Sequence, residues 1–206
     1  MAKIKRREEE DLILSKIYYL MGKSSSGKDT IYKKVLEELP YLKKIISYTT
    51  RPIRQGEVDG EEYYFVNEQT LAKLEKERKV IEQRSYNTIH GIWKYFTASD
   101  GQIDLKKHDY IVIGTLASYM DMCRYLGEEK LVPIYIQIAD GIRLERALRR
   151  ENAQENPRYE ELCRRFLADS EDFSEENLER AKITKRFDNE NLQDCLREVI
   201  KYIENN

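Results

Sequence analysis

The sequence predicts an α/β protein in which a parallel central sheet is covered by helices on both faces. Two observations predict this fold class. Short apolar runs typical of buried strands alternate along the chain with segments whose apolar residues recur at helical spacing. A glycine- and serine-rich turn follows the first apolar run, where a strand would pass into a helix. Such alternation makes the strands parallel, because a crossover helix returns the chain to the same end of the sheet.

The predicted core elements begin at residue 17. The first strand is expected at Ile17–Met21, and a helix is expected over 29–39, where the apolar residues share one face and Pro40 closes the segment. Further strands are expected at 45–48, 110–113 and 134–138, with helical sequence after the last two. These segments form the predicted central layer and its helical cover.

Two regions depart from this alternation, and such departures are where ligand sites tend to lie in α/β proteins. Residues 51–97 are rich in turns and tyrosines, with short strands expected at 63–66 and 80–86. Residues 141–172 are helical and rich in arginine, with an interruption near Pro157. The charged residues that precede the first strand, 1–16, are expected to form a solvated arm or a short helix.

Composition narrows the classes of partner. The 36 Lys and Arg residues nearly balance the 38 Asp and Glu residues, and the net charge is −2. This balance argues against the electropositive surface that nucleic acids and anionic membranes attract. The longest uncharged run is too short to span a bilayer, no secretory leader is recognisable, and Cys123, Cys163 and Cys195 fit no zinc or redox spacing. We therefore expect a cytoplasmic protein with no nucleic-acid or membrane partner.

A phosphate-binding loop is indicated directly after the first strand. The segment from Gly22 to Asp29 reads G-K-S-S-S-G-K-D and fits the pattern G-x-x-x-x-G-K. Its glycines permit a turn in which successive N–H groups point into one concavity, while Lys28 and the helix N-terminus add positive charge. These groups suit the phosphates of a nucleoside triphosphate and predict a P-loop NTPase fold. The predicted ATP-binding residues are Gly22, Lys23, Ser24, Ser25, Ser26, Gly27, Lys28, Asp29 and Thr30.

A magnesium ion is expected to accompany ATP, and two residues compete for it. The hydroxyl that usually contacts Mg²⁺ belongs to a Ser or Thr directly after the lysine, but here Asp29 stands there and Thr30 follows. A carboxylate is also a good ligand for Mg²⁺. The sequence therefore leaves open whether Asp29 or Thr30 contacts the metal.

A second motif lies between residues 47 and 66, which read S-Y-T-T-R-P-I-R-Q-G-E-V-D-G-E-E-Y-Y-F-V. Arg51 and Arg54 can present two guanidinium groups to one phosphate dianion, and Tyr63 can add a neutral donor. Together with the phosphate loop, this segment closely resembles the guanylate kinases, which carry S-x-T-T-R-x-x-R-x-G-E-x-x-G-x-x-Y-x-F at this distance. The resemblance implies that Arg51, Arg54 and Tyr63 hold the α-phosphate of GMP.

The resemblance, which extends over 17–204, also implies a second phosphate-binding tyrosine and a division of the chain. Tyr95 aligns with that tyrosine if a short insertion is allowed, and Tyr86 is the competing choice. The division expected within a domain at 17–206 is a core at 17–46, 98–140 and 173–206, a small mixed α/β acceptor-binding subdomain at 47–97, and a helical lid at 141–172.

The resemblance further implies that Glu82 and Ser47 contact the guanine base. Glu82 follows a short apolar run, like the family glutamate that accepts hydrogen bonds from guanine N1–H and the exocyclic amine. Adenine would leave this carboxylate unpaired. Family members typically end the next core strand with Asp-x-Asp, whereas this chain ends it with Ile113-Gly-Thr115. Both acids are missing, so Thr115 is left to supply an acceptor at the base, and we speculate that Asp29 compensates at the metal.

The arginine-rich region resembles the lid of the family. Arg146, Arg149 and Arg150 share one helix face, and Arg165 follows the interruption. Arginines that close over a phosphoryl group in transfer stabilise its charge and exclude water. The family pattern matches Arg146, Arg150 and Arg165 best, although arginines of a solvated helix also pair with glutamates. A weaker likeness places Asn189 near the adenine of ATP.

The combined motifs predict an ATP-dependent guanylate kinase that converts ATP and GMP to ADP and GDP with Mg²⁺. Lys28, Arg51 and the three lid arginines are the expected catalytic residues. Two rivals stay open: a kinase of the same fold for another nucleotide or a sugar phosphate, and a non-catalytic guanylate-kinase-like binding module. The missing strand-end acids favour the first rival, and the intact phosphate loop opposes the second. An NTP-driven switch explains none of the acceptor motif. We expect a monomer or a homodimer.

Overall fold

The computed structural model describes residues 15–54, 56–88 and 91–206, and the prediction for residues 1–14 lies outside this part of the chain. Its strands are β1 Ile17–Met21, β2 Lys43–Lys44, β3 Tyr48–Thr49, β4 Tyr64–Phe65, β5 Val80–Thr88, β6 Gly91–Ala98, β7 Tyr110–Gly114, β8 Leu131–Gln137 and β9 Arg186–Asp188. Its helices are α1 Lys28–Glu38, α2 Glu68–Lys76, α3 Leu116–Leu126, α4 Asp140–Asn152, α5 Tyr159–Asp172, α6 Glu175–Arg180 and α7 Leu192–Glu204.

The central sheet is parallel throughout, with the strand order β2-β7-β1-β8-β9. Every residue of β1 is buried, because this strand lies in the middle of the sheet and helices cover both faces. Ile17 and Tyr19 pack on one face with α3 and α6, whereas Tyr18 and Leu20 pack on the other face with α1 and α7. The predicted three-layer α/β/α fold is confirmed.

The chain between β2 and β7 forms a smaller mixed sheet of order β4-β3-β6-β5. β3 pairs with β4 in parallel and with β6 antiparallel, and β5 and β6 form a long antiparallel hairpin. Leu71 of α2 packs on Phe96 and Ala98 of β6, which gives this sheet a core of its own. Side chains that share a face of the hairpin are thereby fixed relative to one another.

Some strands differ from the sequence prediction. In place of one strand at 45–48, the described chain has β2 in the central sheet and β3 in the small sheet, since the backbone passes from one to the other between them. β6 was not predicted, because its polar and apolar residues do not alternate regularly along the sequence. It is a strand because it pairs with β5 and β3.

The arginine-rich region folds as two helices, as predicted, and α4 and α5 contact each other on either side of the interruption near Pro157. Among the helices of the described ranges, none combines the length and the apolar character needed to cross a bilayer.

Candidate active site

The predicted phosphate loop connects β1 to α1 and depends on two close approaches. A Cβ atom on Gly22 would lie 2.4 Å from the carbonyl oxygen of Ile136 in β8, so no larger residue fits there. Gly27 has a φ of 89°, and a Cβ there would lie 2.2 Å from the side-chain nitrogen of Asn189. The loop is therefore shaped by β8 on one side and by the segment after β9 on the other.

Asn189 is hydrogen-bonded to the backbone of the phosphate loop. Its Nδ2 donates to the carbonyl oxygen of Ser26 over 2.7 Å, and its own carbonyl accepts from Arg146 Nη2 over 3.2 Å. The side chain is 3% exposed. Asn189 thus holds the loop and one lid arginine together. The adenine contact expected for it stays a prediction.

The first turn of α1 carries the residues expected at the donor phosphates and the metal. The Lys28 ammonium lies 3.8 Å from the carboxylate of Asp29, whose side chain is 76% exposed. Thr30 is exposed in the same turn. No group of three acidic, His or Cys residues that could cage a metal occurs in the described ranges. The set of one carboxylate and one hydroxyl fits Mg²⁺, which is usually held by one or two protein ligands and by substrate phosphates.

Arg143, which the sequence analysis did not select, connects the lid to the phosphate loop. It is 1% exposed, its Nη1 donates to Asp169 Oδ2 over 3.0 Å, and its guanidinium lies 4.0 Å from the centre of the Phe166 ring. The same Asp169 oxygen accepts from the backbone N–H of Ser24 over 2.8 Å. The sequence contains an indication of this role, because Arg143 precedes Arg146 by three residues and therefore shares its helix face.

The three predicted lid arginines lie in different surroundings. Arg146 is next to the loop through its bond to Asn189. Arg150 is exposed on α4, and the Nε of Arg165 donates to Glu161 over 2.7 Å at the surface of α5. The structure thus brings Arg146 to the loop. The roles of Arg150 and Arg165 in phosphoryl transfer stay predictions.

Arg51 lies at the centre of the predicted acceptor site and is 4% exposed. Its two terminal nitrogens donate to Glu57 over 2.7 and 2.6 Å, and its Nε donates to the Tyr95 hydroxyl over 3.1 Å. The guanidinium also lies 5.3 Å from the ring centre of Tyr63 and 5.2 Å from that of Phe65. Glu57 therefore holds Arg51 in one orientation, a role that the sequence analysis missed.

Two of the other predicted phosphate ligands, Tyr63 and Tyr95, contact this arginine. The Tyr63 and Tyr95 rings meet edge to face with centres 5.5 Å apart, and Tyr95 in turn contacts Tyr86. Because Tyr95 bonds to Arg51 and Tyr86 lies one ring further out, the geometry supports Tyr95 as the second tyrosine. Arg54 is exposed, with its guanidinium 5.9 Å from the Trp93 ring.

The ion pair between Arg51 and Glu57 predicts an acid-dependent loss of stability. The hydrogen bonds from Arg51 lower the pKa of Glu57 from 4.5 to about 2. Because the pKa is lower in the folded state, the stabilisation is complete above about pH 4.5 and is lost as the pH falls towards 2. We expect the gap in urea midpoint between the wild type and Glu57→Gln to shrink over this interval. The exposed Glu176→Gln is the matched control, and a constant gap would contradict the prediction.

Two of the predicted base-contacting residues, Glu82 and Ser47, are linked through Thr97 in one hydrogen-bonded chain across the small sheet. Glu82 is 4% exposed, and its carboxylate accepts from the Thr97 hydroxyl over 2.8 Å and from Arg84 Nε over 3.1 Å. The Ser47 and Thr97 hydroxyls lie 3.3 Å apart. Burial raises the pKa of Glu82, and Arg84 opposes that rise. The sequence analysis missed Arg84, although it follows Glu82 by two residues and so shares its face of the strand.

Thr115 has a local role that its sequence position did not reveal. Its hydroxyl accepts from the backbone N–H of Ser118, and the Ser118 hydroxyl accepts from the Thr115 N–H, so the pair caps the N-terminus of α3. The Ser118 oxygen also lies 2.6 Å from the Tyr19 hydroxyl. The expected contact between Thr115 and the base stays a prediction. The Thr115 hydroxyl already accepts one hydrogen bond in the cap.

The donor and acceptor halves of the site lie within electrostatic reach of each other. Burial is the main cause that raises the pKa of Tyr63, and the negative charge of Asp29 adds to it. Tyr63 belongs to the predicted acceptor cluster and Asp29 to the first turn of α1. The phosphate loop and the Arg51 cluster are therefore close enough for their charges to interact.

Comparisons with known proteins agree with this geometry. The family model described as guanylate kinase matches residues 14–206. The guanylate kinase of Rhodopseudomonas palustris is 45% identical over 51 residues, which cover 25% of this chain and 23% of that protein. The guanylate kinase of Nostoc sp. is 36% identical over 78 residues, 38% of this chain and 39% of that protein. The aligned part of this chain therefore spans less than half the length of either relative.

A solved structure extends the likeness of fold to nearly the whole chain. The guanylate kinase from Anaplasma phagocytophilum superposes with a TM-score of 0.62 and 20% identity, and the match covers 93% of this chain and 85% of that one. At this identity the likeness supports the fold, while the family model takes in both sheets, the phosphate loop and the arginine–tyrosine cluster. On that match, the chain belongs to the guanylate kinase family.

Proposed function

We propose that the protein is an ATP-dependent guanylate kinase that transfers the γ-phosphoryl group of ATP to GMP and releases ADP and GDP. One observation carries this proposal. A phosphate loop with its lysine follows β1, the small sheet carries a hydrogen-bonded arginine–tyrosine cluster around the buried Arg51, and the buried Glu82 lies further along that sheet. Such a site has a place for two sets of phosphates and for one base.

The reaction follows from positioning and charge. Lys28 and the loop N–H groups hold the β- and γ-phosphates of ATP, while Arg54, Tyr63, Tyr95 and the oriented Arg51 hold the phosphate of GMP. An oxygen of that phosphate forms a bond to the γ-phosphorus, and the bond to the β,γ-bridging oxygen breaks, so ADP leaves with the electron pair. No general base is assigned, because the phosphate of GMP is already an anion at neutral pH.

The remaining parts of the proposal concern the metal, the division of the chain and its location in the cell. Asp29 and Thr30 would hold Mg²⁺ beside the phosphates, and the metal would neutralise charge that develops on them. The proposal includes the division into core, acceptor-binding subdomain and lid, which the two sheets and the helix pair α4 and α5 support. It also includes a cytoplasmic location, where ATP and GMP are available.

The test is the release of ADP from Mg·ATP with GMP, dGMP, AMP, CMP, UMP and dTMP as acceptors. We expect turnover with GMP and dGMP only, and none when Mg²⁺ is omitted. In Glu82→Gln, the preference for GMP over AMP is expected to fall by about 10²- to 10⁴-fold, because the amide has no charge and only one acceptor oxygen for guanine N1–H and the exocyclic amine. The exposed Glu75→Gln in the same subdomain is the matched control.

Two results would overturn the proposal. Efficient turnover of another nucleotide would show that the site reads a different base. Binding of Mg·ATP without turnover of any nucleotide would favour a binding module or a sugar-phosphate kinase, and a panel of sugar phosphates would then separate these two.

A further inference from the structure

A charged side chain lies at the base end of the acceptor site, and the acceptor motif does not account for it. Arg84 leaves β5 on the same face as Glu82 and donates its Nε–H to that carboxylate over 3.1 Å. Among the described residues, Glu82 is the hydrogen-bond acceptor of this guanidinium. A guanidinium has N–H donors on both terminal nitrogens as well. Arg84 therefore keeps donors that a ligand can use.

These donors belong to the wall of a cavity. The cavity has a volume of about 410 Å³ and lies between β5, the N-terminus of α3 and the helices α5 and α6. Small-molecule sites usually measure about 300–1,000 Å³. Thr115, which stands at the position of one strand-end acid of the family, lines the wall of this cavity. Asp172 and Arg180 also line this cavity, and Arg84 is the lining residue that donates to the buried Glu82.

The pair presents one acceptor group and one donor group side by side. Thr97 and Arg84 both donate to Glu82, which keeps the buried carboxylate in place. Guanine has the complementary order along its edge, with N1–H as a donor next to O6 and N7 as acceptors. Adenine has a donor amine in place of O6, and this amine would face the N–H groups of the guanidinium.

We propose that Arg84 is a specificity-determining residue whose terminal N–H groups donate to O6 and N7 of the acceptor guanine while Glu82 accepts from N1–H. The inference rests on the proposed function and deepens it. It explains how the site can select guanine although the strand-end acids are missing, because an arginine fork on O6 and N7 is a strong and specific contact with this base.

The experiment compares GMP with 7-deaza-GMP, in which a C–H group replaces N7 and the other edges are unchanged. The wild type is expected to use 7-deaza-GMP about tenfold less efficiently in kcat/KM. In Arg84→Met this difference is expected to disappear, since no donor is left to lose its acceptor. Arg124→Met is the matched control, because Arg124 is an exposed arginine on α3 that pairs with Asp121.

Arg84→Met leaves Glu82 without its positive partner and so could destabilise the fold. A second variant, Arg84→Lys, keeps the test available in that case. Arg84→Lys keeps a charge beside Glu82 but has no planar fork, so the difference between the two nucleotides is expected to shrink. If Arg84→Met is unfolded by circular dichroism, Arg84→Lys decides the question. If the soluble variant loses efficiency equally with both nucleotides, Arg84 does not contact N7 and the inference is overturned.

Failure of the proposed function gives a different result. If the wild type does not phosphorylate GMP, the affinities of GMP and 7-deaza-GMP are compared by calorimetry in the wild type and the same variants. A difference that depends on Arg84 would keep the base contact and reject the kinase. Equal affinities, or no binding of GMP, would overturn the base contact itself.

Discussion

Replacement of Lys28 by methionine is expected to lower kcat by about 10³-fold or more, because the site loses the full positive charge beside the transferring phosphoryl group. The fold is expected to survive. In the described structure the ammonium lies 3.8 Å from an exposed carboxylate, and such a surface contact contributes little to stability. ADP release at saturating ATP and GMP measures the effect.

The control for this variant comes from the same helix. Lys33→Met removes an exposed lysine of α1 and is expected to leave kcat unchanged. Equal thermal midpoints for the two variants would show that the lost turnover is chemical rather than structural. Retention of more than a tenth of the wild-type kcat by Lys28→Met would contradict the role assigned to the phosphate loop.

Replacement of Arg51 by methionine is expected to lower both activity and stability. It removes the positive charge at the acceptor phosphate and releases Tyr95, so kcat/KM for GMP is expected to fall by about 10²- to 10³-fold. It also removes the two hydrogen bonds from Arg51 to Glu57 and leaves this carboxylate with the bond from the backbone N–H of Arg54. Loss of one partner from a buried ion pair typically costs about 3–5 kcal/mol, and the partly exposed Glu57 places this pair at the lower end.

A double variant separates the two effects. Arg51→Met combined with Glu57→Gln removes the unpaired charge, so we expect most of the urea midpoint to return while kcat/KM for GMP stays low. Lys79→Met, which breaks an exposed ion pair with Glu77, is the control for charge loss alone. Recovery of activity together with stability in the double variant would show that Arg51 acts only on the fold.

The sequence alone can predict those site residues whose spacing along the chain is set by a motif. The phosphate loop, Arg51, Arg54 and Tyr63 lie in short segments whose residue order carries the chemistry, so the sequence alone is enough to select them. Arg143 and Arg84 lie outside those segments. The contact between Arg143 and Asp169 arises only when α4 packs on α5, whereas Arg84 meets Glu82 within one strand and gains its importance from the cavity that it lines.

The order of apolar and polar residues alone determined the three-layer core, because buried strands and amphipathic helices must place their apolar faces against each other. The sequence motif likewise determined the phosphate loop, because its glycines set the local backbone geometry and its lysine adds a positive charge. Tertiary structure decided which side chains of the small sheet meet. β6 exists as a strand because β3 and β5 pair with it, and this pairing brings Tyr95 to Arg51 and Thr97 to Glu82. Hydrogen-bond partners so distant in sequence leave no periodic pattern, since their contact depends on how the sheets are assembled.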